Sequence, residues 1–313
     1  MALKRRIIFI VFYLFSNSLQ FVQAQQTDSF QFSQPILLDE VVIRATQNGF
    51  DVPHFIRLIQ QDTTFYKAFK TLRLSTYNAD NDIRVFDKKG KSIKASLKSE
   101  TKQVYRDGCR VMHVLDEKTT GDFYKQDGSY RYFTAELYAN LFFTKGKICN
   151  ENNIVKGSLE REGKGKNRMQ KSIIQLKHLI FNPGEPIEGV PFISKKVGIF
   201  EPEIAKHYDF YIKNAPINGV ECYLFEAIPK SGHESKVVIK EFKTWLRVSD
   251  YAIVSRDYTM NYNVGIYDFD VKMHVDLIKI KNQLLPSLIT FDGNWHVWTK
   301  KREIVKFKTT FYH

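Results

Sequence analysis

Ile266-Tyr267-Asp268-Phe269-Asp270-Val271-Lys272-Met273-His274-Val275-Asp276-Leu277-Ile278-Lys279-Ile280 is the stretch that decides the fold. Tyr267, Phe269, Val271, Met273, Val275 and Leu277 share one parity, and Asp268, Asp270, Lys272, His274 and Asp276 share the other. Successive side chains of a β-strand point to opposite faces, so this alternation predicts a long antiparallel strand with one buried and one wet face. Val305, Phe307 and Phe311 repeat the pattern against Lys306, Lys308 and Thr310. Upstream, Val238 to Val248 and Ala252 to Tyr262 read as strands joined at Ser249-Asp250. Asn263-Val264-Gly265, Leu285-Pro286 and Asp292-Gly293 punctuate the rest, giving a meander of five consecutive strands. Such a sheet must bury its apolar face on helices or inside a curved barrel.

Outward from this meander, the amino-terminal half mixes periods. Ile36 to Ala45 is rich in β-branched residues and reads as a short strand. Asp51 can cap a helix with Pro53 in its first turn, and Phe55, Ile56 and Ile59 then share a helical face. Phe65, Tyr66 and Phe69 repeat the spacing after Asp62. From Thr71 the period becomes two: Leu72, Leu74 and Thr76 alternate with Arg73, Ser75 and Tyr77, and Ile83 and Val85 continue a strand to Asp87. Lys88-Lys89-Gly90 turns the chain into Ile93, Ala95 and Leu97, and Asp107-Gly108 is a hairpin signal before Val111 to Leu115. Tyr130 to Phe143 is helical by the Ala-Glu-Leu-Tyr-Ala-Asn-Leu-Phe centre. Residues 145–172 hold eight Lys and Arg against three Glu, with Gly157, Gly163 and Gly165 interrupting any regular element, and predict a mobile basic loop. A helix from about Ser172 to Phe181 and a crossing with Pro186, Pro191 and Pro202 lead into the last third.

The expected division is therefore residues 1–24 as leader, 25–50 as linker and short strand, 51–144 as helices and strands, 145–172 as loop, and 173–313 as helix, crossing and meander. The last is continuous with 51–144. The expected fold class is α+β: a large curved antiparallel sheet, half-barrel-like, with a few helices packed on one face.

Lys4, Arg5 and Arg6 precede the apolar run Ile7 to Phe15, and Val22-Gln23-Ala24 fits a cleavage site, so Met1 to Ala24 reads as a secretory signal peptide. Nine apolar residues at about 1.5 Å rise do not cross a hydrocarbon core of roughly 30 Å. The reading places the protein in the periplasm or on the periplasmic face of the outer membrane. Loss of the three leader cations lowers the formal net charge from +13 to +10. That balance suits anionic lipid headgroups or scattered solvating Lys, and an exported chain has no nucleic-acid partner to expect. Cys109, Cys149 and Cys222 are too few for a disulfide scaffold; a Cys109–Cys149 bond is allowed by an oxidising compartment but not indicated by spacing.

Two segments carry family resemblances. Trp245-Leu246-Arg247-Val248-Ser249-Asp250-Tyr251-Ala252-Ile253-Val254-Ser255-Arg256-Asp257-Tyr258 resembles the central hairpin of the LolA/LolB-like lipoprotein-carrier fold, and Asn218 to Pro229 fits the strand before it. Leu38-Asp39-Glu40-Val41-Val42-Ile43, followed by a helix with Phe55-Ile56-Arg57-Leu58-Ile59, resembles Bacteroidota envelope proteins related to the DUF5686 family. The first resemblance implies a carrier-type hollow between sheet and helices. The second implies an envelope origin.

No catalytic motif stands out. There is no Gly-x-Ser-x-Gly elbow, no His-Glu-x-x-His and no Cys-x-x-Cys, and Gly163-Lys164-Gly165-Lys166 lacks the spacing and ending of a phosphate loop. Asp268, Asp270, His274 and Asp276 could converge on a cation, but a solvated strand face accounts for them. Of Trp295 and Trp298, one is expected in the core and one exposed. No cofactor, catalytic residue or metal is expected. The expected role is an exported, non-catalytic envelope protein that binds a lipid, an acyl chain or a lipoprotein, with Tyr267, Phe269, Val271, Met273, Val275 and Phe307 facing the ligand. The alternatives are an interaction or assembly subunit that meets an outer-membrane protein, and an envelope glycan hydrolase.

Overall fold

Alternation along the chain becomes a single sheet. The structure, a computed structural model, describes residues 35–37, 46–47, 50–60, 62–155, 196–263, 267–297 and 301–313, all within the unit Gln31–His313. The strands are β1 Ile36–Leu37, β2 Thr46–Gln47, β3 Phe50–Asp51, β4 Tyr77–Phe86, β5 Ile93–Arg106, β6 Cys109–Thr120, β7 Ile148–Cys149, β8 Tyr208–Asn214, β9 Cys222–Pro229, β10 Ile239–Arg247, β11 Ile253–Asn263, β12 Tyr267–Ile280, β13 Gln283–Val297 and β14 Glu303–Tyr312. The described helices are α1 Val52–Gln60, α2 Thr64–Leu72, α3 Phe133–Phe142 and the single turn α4 Pro202–Ala205.

Twelve strands form one open antiparallel sheet in the order β1-β8-β9-β10-β11-β12-β13-β14-β4-β5-β6-β7, and β2 pairs with β3 apart from it. The meander from β10 to β14 is the one its alternation predicts. What joins the halves is the last strand: β14 pairs with β4, setting Phe307 opposite Ile83. The two-residue turn between β5 and β6 holds Asp107 and Gly108 at φ of 52° and 72°, the left-handed pair that a tight hairpin requires.

The register builds a continuous apolar row. Phe210, Ala227 and Phe242 stand opposite one another across β8, β9 and β10. Tyr258, Met273 and Phe291 continue the row through β11, β12 and β13, and Phe307, Ile83 and Leu97 carry it to β5. One residue of slip would turn every one of these to the other face, so burial fixes the pairing. Gly293 is required beside the row: a Cβ there would meet the Phe291 ring at 2.4 Å.

Helices α1, α2 and α3 cover this apolar face. Phe55 of α1 meets Tyr223 and Tyr251 edge-on at 6.0 and 5.9 Å. Tyr138 of α3 packs on Phe307 at 4.9 Å, and its buried hydroxyl lies within hydrogen-bond distance of Asn81 and Thr309. Phe133 packs on Trp295 at 5.3 Å. Burying each such ring contributes roughly 1.5–3 kcal/mol.

Two local expectations are corrected. Thr71 and Leu72 do not open a strand; they end α2, and β4 starts at Tyr77. Leu72 continues the three- and four-residue stripe of Phe65 and Phe69 and is 3% exposed, so helix packing outweighs five residues of alternation. Tyr77, placed on the wet side by that alternation, is buried with Ile83 and Val85. Of the Ile36 to Ala45 strand, Ile36–Leu37 pairs with β8. Residues 38–45, the leader 1–24, the helix 172–181, most of the basic loop and the Pro crossing, and Trp298 lie outside the described residues.

Candidate functional site

The apolar face of the sheet holds a buried cation under the first two helices. Arg256 takes the inward parity of β11, between Thr244 of β10 and Val275 of β12, and is 3% exposed. Its Nε donates to Thr244 Oγ1 at 3.0 Å and a terminal nitrogen donates to Asp62 Oδ2 at 3.4 Å. The guanidinium lies 4.4 Å from the centre of the Phe65 ring and 5.1 Å from that of Phe242, so ring faces on helix and sheet supplement the carboxylate. Burial pushes its pKa down and Asp62 opposes the shift; a guanidinium stays charged in either case. Asp62 also accepts the Thr64 N–H at 2.9 Å. One carboxylate therefore accepts an N–H from the first turn of α2 and holds a buried cation of the sheet.

A cavity of about 140 Å³ lies at this contact, lined by Leu58, Ile59 and Asp62 on the helical side and by Thr244, Leu246, Tyr251, Ile253 and Arg256 on the sheet side. Its walls mix the hydrocarbon of Leu58, Ile59, Leu246 and Ile253 with the ion pair, Thr64, Thr244, Asp250 and Tyr251. The sequence carries a trace of it: Val254, Arg256 and Tyr258 share one parity, and a charge in an otherwise apolar set is the anomaly.

Five of the six residues expected to face a ligand, Phe269, Val271, Met273, Val275 and Phe307, share the inward parity of the sheet but do not line this cavity. Val271, Met273, Val275 and Phe307 are buried. Tyr258 donates to Met273 Sδ at 2.7 Å, and Phe307 stacks on Phe291 at 4.8 Å and 7°. Phe269 is half-buried, 6.2 Å from Tyr262, and the side chain of Tyr267 lies outside the described residues.

The opposite face is polar and carries an open depression of about 580 Å³. Its carboxylates are taken by cations: Asp82 by Arg84 and Asp292 by Lys306, each at 2.6 Å, Glu241 by Lys243, and Asp257 by His274. The second nitrogen of His274 lies 3.1 Å from Asp276. Hydrogen bonds to Asp257 and then Asp276 raise the His274 pKa to about 10 against its burial. Burial pushes Asp276 up, but the bond to His274 holds it below the ordinary carboxylate range. Imidazolium with both nitrogens occupied offers no lone pair to a metal. Asp268 is drawn away by Arg302 at 2.7 Å, so the Asp268, Asp270, His274, Asp276 set does not converge. Among the described residues no three metal-ligating side chains do. The carboxylates of the depression sit in ion pairs, an environment that disfavours the protonated acid glycan hydrolysis needs.

At the sheet's edge, β7 pairs only with Cys109 and Arg110 of β6, and Cys109 is disulfide-bonded to Cys149. Arg110, 2% exposed, binds Glu151, which burial pushes up but Arg110 and Arg73 hold low. Beyond it Val114 and Leu115 are 58% and 59% exposed. Cys222 is a buried free thiol whose pKa burial pushes up to about 11, the state of an inert packing residue. Among the described residues no helix is long and apolar enough to cross a membrane.

No family model and no curated protein matches the chain at a significant score. Among solved structures, it is similar to a DUF1329 family protein from Desulfovibrio piger, with 12% identity over 82% of this chain and 88% of that one and a TM-score of 0.23. It is also similar to a LolA superfamily protein from Nitrosomonas europaea, with 8% identity over 80% of this chain and 91% of that one and a TM-score of 0.24. At those scores the likeness carries no argument about function, and neither of the two is a DUF5686 protein.

Proposed function

We propose that this is an exported, non-catalytic envelope protein that binds an amphipathic ligand between the apolar face of the sheet and the α1–α2 pair. The ligand is a lipid, an acyl chain or the acylated part of a lipoprotein. One observation carries the reading: Leu58, Ile59, Leu246 and Ile253 converge with the buried Arg256 cation on one cavity. These apolar side chains offer contact to an alkyl chain, and Arg256, once Asp62 moves away with the helices, supplies the countercharge to an anionic head. The cavity, at about 140 Å³, is smaller than the roughly 300–1,000 Å³ of ligand sites. Binding therefore needs α1 and α2 to lift, opening Val275, Met273, Val271 and, farther along, Tyr267, Phe269 and Phe307 to the chain. The Lys- and Arg-rich segment of residues 145–172 is expected to add a salt-sensitive attraction for anionic headgroups.

Displacement of an environment-sensitive fluorescent fatty acid tests this. Micromolar binding, about −8 kcal/mol, is expected, lost in a folded Met273→Glu variant and weakened for fatty acid but not fatty alcohol in Arg256→Leu. Failure of every long-chain amphiphile to displace the probe from folded protein sinks the reading. For export, amino-terminal sequencing of the secreted chain is expected to begin at Gln25; a start at Met1 contradicts it.

A second reading, an assembly subunit at the outer membrane, is favoured by the β6 edge, where Val114 and Leu115 are exposed beyond the short cover of β7. A partner would add a strand there. Leu115→Pro would then abolish partner capture and leave amphiphile binding unchanged.

A further inference from the structure

The eight His are scattered in the sequence, yet two meet in the fold. His207 ends the turn before β8, and His233 sits in the turn between β9 and β10. Their Nδ1 atoms are 3.2 Å apart, and the rings are perpendicular with centres 4.9 Å apart. The backbone holds them there: Lys230 N–H donates to the His207 carbonyl at 2.8 Å, and His233 N–H donates to the Lys230 carbonyl at 2.9 Å. Both side chains belong to half-buried residues, so an ion reaches them from solvent.

We propose that His207 and His233 form a two-histidine site for a borderline divalent transition ion such as Zn2+ or Cu2+, bound through both Nδ1 atoms, with water completing the coordination. The spacing is that of two ligands on one metal. With metal–nitrogen bonds of about 2.1 Å, a 3.2 Å separation gives a nitrogen–metal–nitrogen angle of about 100°, between octahedral and tetrahedral values. Because both rings are held by turn backbone, binding requires only a ring rotation that aims both lone pairs outward. Burial, the facing His233, and Lys236 and Lys206 all lower the His207 pKa, against Glu203, so the ring is neutral and ligand-ready at neutral pH. The same two lysines oppose an incoming cation. Glu203, now paired with Lys206, is the carboxylate close enough to offset them. Imidazole nitrogen selects transition ions over Ca2+ and Mg2+, which take oxygen ligands.

Isothermal titration of the full chain with Zn2+, Cu2+ and Ca2+, each alone at pH 7.5, tests the site. One Zn2+ or Cu2+ is expected per chain. Affinity is expected to fall at least tenfold in His207→Asn and in His233→Asn. Ca2+ is expected to give no heat that depends on either residue. Both positions are in surface turns, and unchanged melting of the variants confirms that folding is intact. Equal transition-ion affinity in the wild type and both variants overturns the proposal. So does an NMR titration in which Zn2+ leaves the two imidazoles untouched, which marks the pair as a hydrogen bond only. Amphiphile binding is expected to be the same in both variants.

Discussion

Arg256 and Asp257 are neighbours in β11 and belong to different electrostatic worlds. Arg256 points under the helices, 3% exposed, and meets Asp62 across the interior. Asp257 points to the polar face and meets His274 of the next strand, where both side chains remain about a third exposed. Each is a cation–carboxylate contact. Water screens the outer one and is excluded from the inner one, so loss of a partner leaves a solvated charge outside and an uncompensated charge inside. The outer contacts are interchangeable members of a solvated lattice. The inner one joins helices to sheet.

The contrast between the faces is tested most strongly by Phe307→Ala and Lys272→Ala. Phe307 is wedged between Phe291 and Tyr138, and its loss is expected to cost about 3–5 kcal/mol. Lys272 on the other parity is expected to cost under about 0.5 kcal/mol. Similar melting temperatures for the two variants would reverse the faces. Phe269→Ala falls between them, since Phe269 is half-buried near the start of β12.

Next in size is Asp62→Ala, which frees the Thr64 N–H and strands Arg256; a loss of about 3 kcal/mol is expected in urea unfolding. Asp257→Ala is expected to cost about 1 kcal/mol or less. A ratio near one would show that the inner pair is no more desolvated than the outer.

The smallest effect is a pH dependence. His274 has its folded pKa raised to about 10, above an unfolded value near 6.5. A raised pKa means that the His274 contribution is complete below about pH 6.5 and fades as pH rises through about 10. His274→Gln is therefore expected to lower the melting temperature at pH 6 and to match the wild type near pH 11. A deficit that grows with pH would contradict the imidazolium clip.

What the sequence carried follows the same division. Alternation in β12 and β14 and the Asp107-Gly108 turn are local patterns, and a local pattern suffices to name an element and its buried side. The pairing of β14 with β4 is a contact across more than two hundred residues, and alternation is blind to which strand lies alongside. The two side-chain clusters are hidden for the same reason: Asp62 precedes α2 while Arg256 lies in β11, and His207 and His233 are 26 residues apart. Spacing alone does not set two strand ends side by side, so the Cys109–Cys149 bond is visible only in the fold. Alternation from Thr71 puts the buried Tyr77 on the wrong face because an amphipathic helix ending in Leu72 imitates period two over a few residues.

The central claim is that ligand meets the inward face of β10–β12 beneath α1 and α2. A photoactivatable long-chain fatty acid, cross-linked to the folded protein and mapped by peptide mass spectrometry, addresses it directly. Label is predicted on Leu58, Ile59, Leu246, Ile253 and Met273, competed away by oleate. Label on Lys272, Thr290 and Lys308 of the polar face, or label indifferent to oleate, would contradict the account.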